Sequence, residues 1–277
     1  MNEFAKLLDA FSSGTLLHPS HGSYNIVDLG NAIGYLNRAS NIKLNAGTKR
    51  ILDILGSPEH LIFILADGLG TNIVRTLPHS SFLNRHVISN FRTAFPSTTP
   101  VVLTSFVTGH WPSAHGVTGW YTYLPDYNVI TTTIKFVKKS DGLSLDTLGA
   151  VPDKVFPVPS LFSRFATNAL SLIPSHLANT TYSKYFSGSV PILSYETLDE
   201  AFEIIITQLN QPKNPTFTYL YTPKIDSAAH SFGTSEPRTL DAICTFERKI
   251  ESLASHLPNN TKLMLTADHG LLDAEPG

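Results

Sequence analysis

Three times along this chain an apolar run stops at or just before an aspartate. Leu61-Ile62-Phe63-Ile64-Leu65-Ala66 leads into Asp67-Gly68, and Lys262-Leu263-Met264-Leu265-Thr266-Ala267 leads into Asp268-His269-Gly270. Between them, Thr216 to Tyr221 leads through Thr222-Pro223-Lys224-Ile225 to Asp226. Runs of this length without polar alternation fit strands buried on both faces of a parallel sheet. Ahead of the last two runs lie Leu198/Phe202/Ile205/Leu209 and Leu240/Ile243/Phe246/Ile250/Leu253/Leu257, spaced for one buried helical stripe each. Alternating strands and helices predict an α/β fold, a mostly parallel central sheet covered by helices on both faces. Ligands gather at the C-terminal ends of such strands.

At 277 residues the chain has room for one large core. The strand–helix grammar assigns that core to residues 59–277 and leaves residues 1–58 as a helical lead-in, carried by the apolar spacing from Val27 to Leu36. Between about residues 120 and 190 the grammar breaks. Tyr121, Tyr123 and Tyr127 stand among many Thr and Ser, with Pro125, Pro152, Pro157, Pro159 and Pro174. That stretch reads as a cap-like insertion beside the active site.

Charge narrows the partners. Twenty basic against 22 acidic residues, with no basic run, support neither a nucleic-acid duplex nor an anionic membrane as partner, and leave a small molecule. No apolar run near a motif approaches the roughly 20 residues that span a bilayer. The start, Met1-Asn2-Glu3-Phe4-Ala5-Lys6, lacks a secretory leader, so the expected location is cytoplasmic. One cysteine, Cys244, excludes intrachain disulfides and thiolate-clustered zinc, while eleven histidines leave imidazole–carboxylate metal sites open.

Asp67, Asp226 and Asp268 therefore converge on one sheet edge, with His230 four residues after Asp226 and His269 directly after Asp268. Any one such Asp could simply cap a turn. Three of them with two histidines suit a divalent ion, zinc best, with manganese or iron as alternatives. A second feature is Phe95-Pro96-Ser97-Thr98-Thr99-Pro100, which precedes a helix-like apolar stretch to Thr108-Gly109. A hydroxyl at a helix N-terminus sits beside unpaired N–H groups and the positive end of the dipole, where an anion or an alkoxide costs less. Ser97, Thr98 and Thr99 are all candidates, and each also suits a plain N-cap.

Together these elements resemble the alkaline phosphatase superfamily: Asp67-Gly68, Pro96 to Gly109 followed by His110-Trp111-Pro112-Ser113-Ala114-His115-Gly116, Asp226-x-x-x-His230, and Asp268-His269-Gly270. Within it they are closest to the nucleotide pyrophosphatase/phosphodiesterase branch. The resemblance covers about residues 60 to 277 and implies a metal-dependent phosphoric ester hydrolase acting on phosphodiester or pyrophosphate bonds of nucleotides. It implies two divalent ions, with Asp67, Thr99, Asp268 and His269 holding one and Asp226 and His230 the other. Thr99 becomes the nucleophile, forming a covalent phospho-threonine, with Thr98 as runner-up. His115-Gly116 reads as a structural turn.

Two departures from the family pattern stand out. The second metal is expected to take another histidine from beyond Asp-His-Gly, and only eight residues follow His269. The C-terminal part of the core thus reads as cut short, unless His18, His21, His60, His79, His86, His110, His176 or His256 substitutes. Val102 also stands where the pattern places an Asn that touches the phosphoryl oxygen, which loosens the preference for diesters. Alternatives on the same core are a phosphomonoesterase, a phosphonate hydrolase or a phosphomutase. A non-catalytic phosphate-binding or interaction protein is the alternative from another class. The oligomeric state is not legible.

Overall fold

The computed structural model describes residues 2–17, 19, 24–210 and 216–273. In chain order its elements are α1 (Glu3–Ser12), α2 (Ile26–Leu36), α3 (Ala46–Leu55), β1 (His60–Ala66), α4 (Thr71–Val74), α5 (Phe82–Arg85), α6 (Thr99–Thr108) and α7 (Pro112–His115). The middle of the chain adds β2 (Tyr121–Leu124), β3 (Val129–Thr132), β4 (Val137–Lys138), α8 (Pro152–Val155), β5 (Asn168–Pro174), α9 (Ser175–Ala178) and α10 (Thr181–Ser187). It ends with β6 (Ile192–Tyr195), α11 (Leu198–Leu209), β7 (Thr216–Thr222), α12 (Lys224–Phe232), α13 (Pro237–Ser255) and β8 (Thr261–Thr266).

Five strands form one sheet in the order β6-β5-β7-β1-β8, and every pairing in it is parallel. β1 and β7 are buried along their whole length, Thr216, Thr218 and Thr222 of β7 included, as strands covered on both faces are. Along β1, Leu61, Phe63 and Leu65 face a core built with α2, α3, α6 and α10, whereas Ile62, Ile64 and Ala66 face one built with α11 and α13. Each face thus takes alternate residues, the period-two pleat of a strand sandwiched between helices.

Three expectations change. β8 lies at the sheet edge and is only part-buried, because among the described residues no strand pairs with its outer side. Residues 168–174, read as part of the insertion, are β5, an interior strand of the parallel sheet between β6 and β7. That strand ends in Pro174 rather than an acid, so its run lacked the signature of the other three. What remains of the insertion is the antiparallel sheet β2-β3-β4 followed by short turns, docked on α10 through Phe156 stacked on Tyr185. The lead-in, finally, supplies part of the core. α2 is buried from Ile26 to Gly34, and a Cβ on Gly30 would come 2.0 Å from the Phe106 carbonyl oxygen, so only glycine lets α2 approach α6 this closely. No helix among the described residues is long and apolar enough to cross a membrane.

Every residue of α6 is buried, and its hydroxyls bond back to the helix: Thr104 to the Pro100 carbonyl, Ser105 to Val101 and Thr108 to Thr104. His115 is fully enclosed beside it. The Val117 N–H donates to Nδ1, which leaves Nε2–H to donate to Ser105 Oγ, 2.9 Å away. Burial, helped by nearby His110, lowers His115 from its ordinary 6.5 to about 4. The folded protein therefore binds fewer protons than the unfolded chain between these values, and stability falls as pH drops through that window. The loss from this group is on the order of 3 kcal/mol. Urea unfolding from pH 7 to pH 4 should show a fall that His115→Gln flattens, and an unchanged slope would assign the effect elsewhere.

Candidate active site

The C-terminal ends of β1, β7 and β8 share one edge because the strands are parallel and in register, with Leu65 opposite both Tyr221 and Thr266. Asp67 continues the pleat of β1, so its side chain leaves on the face of Leu65, the face that α6 covers. Thr98 is the N-cap of α6 and makes no side-chain capping bond; Thr99 is the first helical residue and is buried. Its Oγ1 lies 3.4 Å from Asp67 Oδ2 and 3.3 Å from His269 Nε2.

Asp226 is not at a strand end. It sits in the first turn of α12, and its backbone N–H donates to the Asp67 carbonyl oxygen at 3.2 Å, while the Asp67 N–H donates to Thr222 at 2.9 Å. These two bonds draw the start of α12 onto the end of β1. His230 follows one turn later with Nε2 3.5 Å from Asp226 Oδ1, its side chain mostly exposed. Asp268 is buried and accepts at Oδ1 from the N–H groups of Gly68, at 3.2 Å, and His269, at 3.0 Å. Gly68 has φ +74°, and a Cβ there would stand 3.1 Å from the Asp226 Cβ, so glycine allows this close meeting of segments.

One oxygen of each carboxylate is left buried without a hydrogen-bond donor: Asp67 Oδ1, Asp226 Oδ1 and Asp268 Oδ2. His269 Nε2 lies 3.4 Å from the first and 3.5 Å from the third. Ligating atoms of Asp67, Asp226 and His269 lie within 4.8 Å of one another, a spacing that a single divalent ion can bridge. Orphaned acceptors at such a density are costly unless a cation or protons satisfy them, so the donor set fits a hard or borderline divalent ion. The geometry gathers Asp226 with Asp67 and His269, and the two ligand sets implied by the resemblance meet at this carboxylate.

Without an ion the site is built to hold protons. Burial first, and then the Asp268 charge, push Asp67 up to about 7, against the opposing hydrogen bond from Tyr221. Asp226 is raised by burial and by Asp67, and Asp268 by burial against the pull of His269. Burial alone would lower His269, but Asp268 and Asp67 outweigh it and raise the imidazole.

Among the described residues, none of the histidines weighed as substitutes joins the cluster of Asp67, Asp226 and His269. His60 begins β1, at the opposite end of the strand from Asp67, and bonds Thr216. His86 and His256 are exposed and bond helix carbonyls, His79 and His176 are exposed, and His110 bonds the Thr108 carbonyl. His18 and His21 lie outside the described residues. Val102 is fully buried in the core under α6, so its side chain is packing and no counterpart of a phosphoryl contact. Tyr221 went unnoticed in the sequence: it is buried on β7 and its phenol oxygen lies 2.5 Å from Asp67 Oδ2. Its only local signal is the alternation of aromatic Phe217, Tyr219 and Tyr221 along the strand.

A family model described as Type I phosphodiesterase / nucleotide pyrophosphatase matches residues 61–276. Among solved structures the chain is similar to murine ectonucleotide pyrophosphatase / phosphodiesterase 5, with a TM-score of 0.56, 18% identity, and coverage of 76% of this chain and 57% of that one. An inactive variant of the murine protein in complex with AMP gives a TM-score of 0.55 at 17% identity, covering 76% and 56%. The human protein of the same name gives 0.56 at 17%, again covering 76% and 56%. The chain thus spans under two thirds of the length of these structures. No curated protein sequence matches it.

Proposed function

We propose that this chain, which belongs to the type I phosphodiesterase / nucleotide pyrophosphatase family, hydrolyses phosphodiester or pyrophosphate bonds of nucleotides through Thr99, aided by divalent ions. The observation that carries the reading is a buried threonine hydroxyl at the head of α6, 3.4 and 3.3 Å from an aspartate and a histidine, beside three carboxylate oxygens with no donor. The AMP complex of the murine relative adds support for a nucleotide substrate.

Asp67, Thr99, Asp268 and His269 would hold one ion, and Asp226 with His230 the other. Bound there, divalent ions lower the cost of the threonine alkoxide and offset charge on the entering and departing oxygens. The chain's own part is to present Thr99 Oγ1 at the positive end of α6, where negative charge is favoured. The hydroxyl oxygen displaces the alcohol or phosphate leaving group at phosphorus, giving a phospho-threonine that still carries the nucleoside, while the departing oxygen takes up a proton. Water then attacks that phosphorus, the Thr99–phosphorus bond breaks, and the hydroxyl regains its proton. Two in-line displacements retain configuration overall.

Hydrolysis of a p-nitrophenyl nucleotide diester, abolished by chelation and restored by zinc or manganese, tests the reading. Faster turnover of p-nitrophenyl phosphate would favour the phosphomonoesterase alternative. Metal uptake should be unequal. The first set offers two carboxylates, an imidazole and a hydroxyl, against one carboxylate and one exposed imidazole in the second. Calorimetric titration with zinc should resolve one tight and one weaker site. Two equal tight sites would show that another ligand completes the second, and no uptake would remove the metal reading.

A further inference from the structure

We infer that Tyr221 is a positioning residue for the metal-binding carboxylate, its phenol holding Asp67 so that Oδ1 alone is presented to the ion. The inference rests on the proposed metal site and adds a residue that this reading does not require. Its ground is geometric. Tyr221 and Leu65 are register partners on adjacent parallel strands, and Asp67 lies two residues beyond Leu65 on the same face, so phenol and carboxylate meet diagonally across β7 and β1. The phenol donates to Oδ2 at 2.5 Å, and both side chains are buried.

A carboxylate with two free oxygens can rotate or offer both of them. Here Oδ2 is taken by the phenol and faces Thr99, while Oδ1 is left without a donor, 3.4 Å from His269 Nε2. The phenol is held by the place of Tyr221 on β7, which pairs with strands on both sides; the hydroxyl of Tyr195 bonds only its backbone carbonyl oxygen, at 2.7 Å. Hydrogen bonds that orient a ligand from outside the coordination shell are commonly worth 10- to 100-fold in metal affinity.

Tyr221→Phe keeps the ring and deletes the donor. The readout is zinc affinity, by competition with a chromophoric chelator on the whole chain, alongside the thermal midpoint of the metal-free protein. Tyr195→Phe serves as the comparison, because it removes a buried phenol next to Tyr221 that touches no carboxylate. The expected result is zinc binding about 10- to 100-fold weaker in Tyr221→Phe and within about 3-fold of the unsubstituted chain in Tyr195→Phe. Unchanged affinity in Tyr221→Phe, whatever happens to its thermal midpoint, overturns the inference and leaves the metal site standing. Equal losses in both variants also overturn it, since the effect would then be general loosening of the strand. Absence of zinc uptake by the unsubstituted chain overturns the metal site and this inference together.

Discussion

Thr99→Ala should lower kcat/KM for a p-nitrophenyl nucleotide diester by at least about 1,000-fold, because it deletes the attacking atom and with it the covalent step. Thr98→Ala should stay within about 3-fold, since Thr98 makes no side-chain capping bond and contacts neither acid in the structure. The two variants differ by one position at the head of one helix, so their contrast isolates the hydroxyl. Zinc affinity distinguishes a chemical loss from a lost site: Thr99→Ala removes one weak oxygen ligand and retains Asp67, Asp268 and His269. Mass spectrometry of acid-quenched reactions should find the mass of a nucleotidyl group on the peptide carrying Thr99. Full activity in Thr99→Ala, with loss in Thr98→Ala, would move the nucleophile by one residue; indifference to both would end the covalent scheme.

Asp67→Asn should stabilise the metal-free protein above pH 7 while abolishing its stabilisation by zinc. Asp67 is raised from 3.8 to about 7 by burial and then by the Asp268 charge. Its folded form therefore holds a proton between those values that the unfolded chain has released. That contribution is fully present below pH 3.8 and is lost as pH rises through 7, amounting to on the order of 4 kcal/mol at pH 8. An asparagine carries no charge to desolvate, and its amide can donate to the unsatisfied Asp268 Oδ2. For a chain of this size the expected rise in thermal midpoint at pH 8 is roughly 10 °C. Added zinc should raise the midpoint of the unsubstituted protein by RT ln(1 + [L]/Kd) and leave the variant unmoved. A variant less stable than its parent in the absence of metal would refute the argument that these carboxylates are held together at a cost. The His115 effect runs with the opposite sign between pH 4 and pH 6.5, so the comparison is made at pH 8, above both windows.

Much of the frame was legible because burial leaves a local record. A strand sandwiched between helices buries every position, and β1 from Leu61 to Ala66 is apolar throughout while β7 carries only uncharged residues; a helix on one face of a sheet must repeat at 3.6, and α11 and α13 do. Asp67 and Asp268 could be placed at the sheet edge for the same reason, because a charged residue ends an apolar run where the strand leaves the core. Thr99 could be narrowed to one of three hydroxyls, since proline and hydroxyl residues mark a helix start. β5 escaped because its run is short, broken by Ser171 and closed by Pro174, so nothing local separated it from the irregular stretch before it.

What no local pattern could decide was who meets whom. Asp226 reaches Asp67 through backbone bonds between segments about 160 residues apart, and Tyr221 reaches the same carboxylate through the register of two parallel strands. Val102, three residues from Thr99 on one helix, turns into the core while Thr99 faces the acids. The sequence by itself determined that β1, β7 and β8 are strands, that α11 and α13 are helices, and that Asp67 and Asp268 follow strand ends, because those properties follow from each segment's own burial. Tertiary structure alone decided that three carboxylates share one small space, that one oxygen of each lacks a donor, and that a tyrosine holds one of them, because register and crossover bring together side chains whose separation along the chain carries no trace of their distance in space.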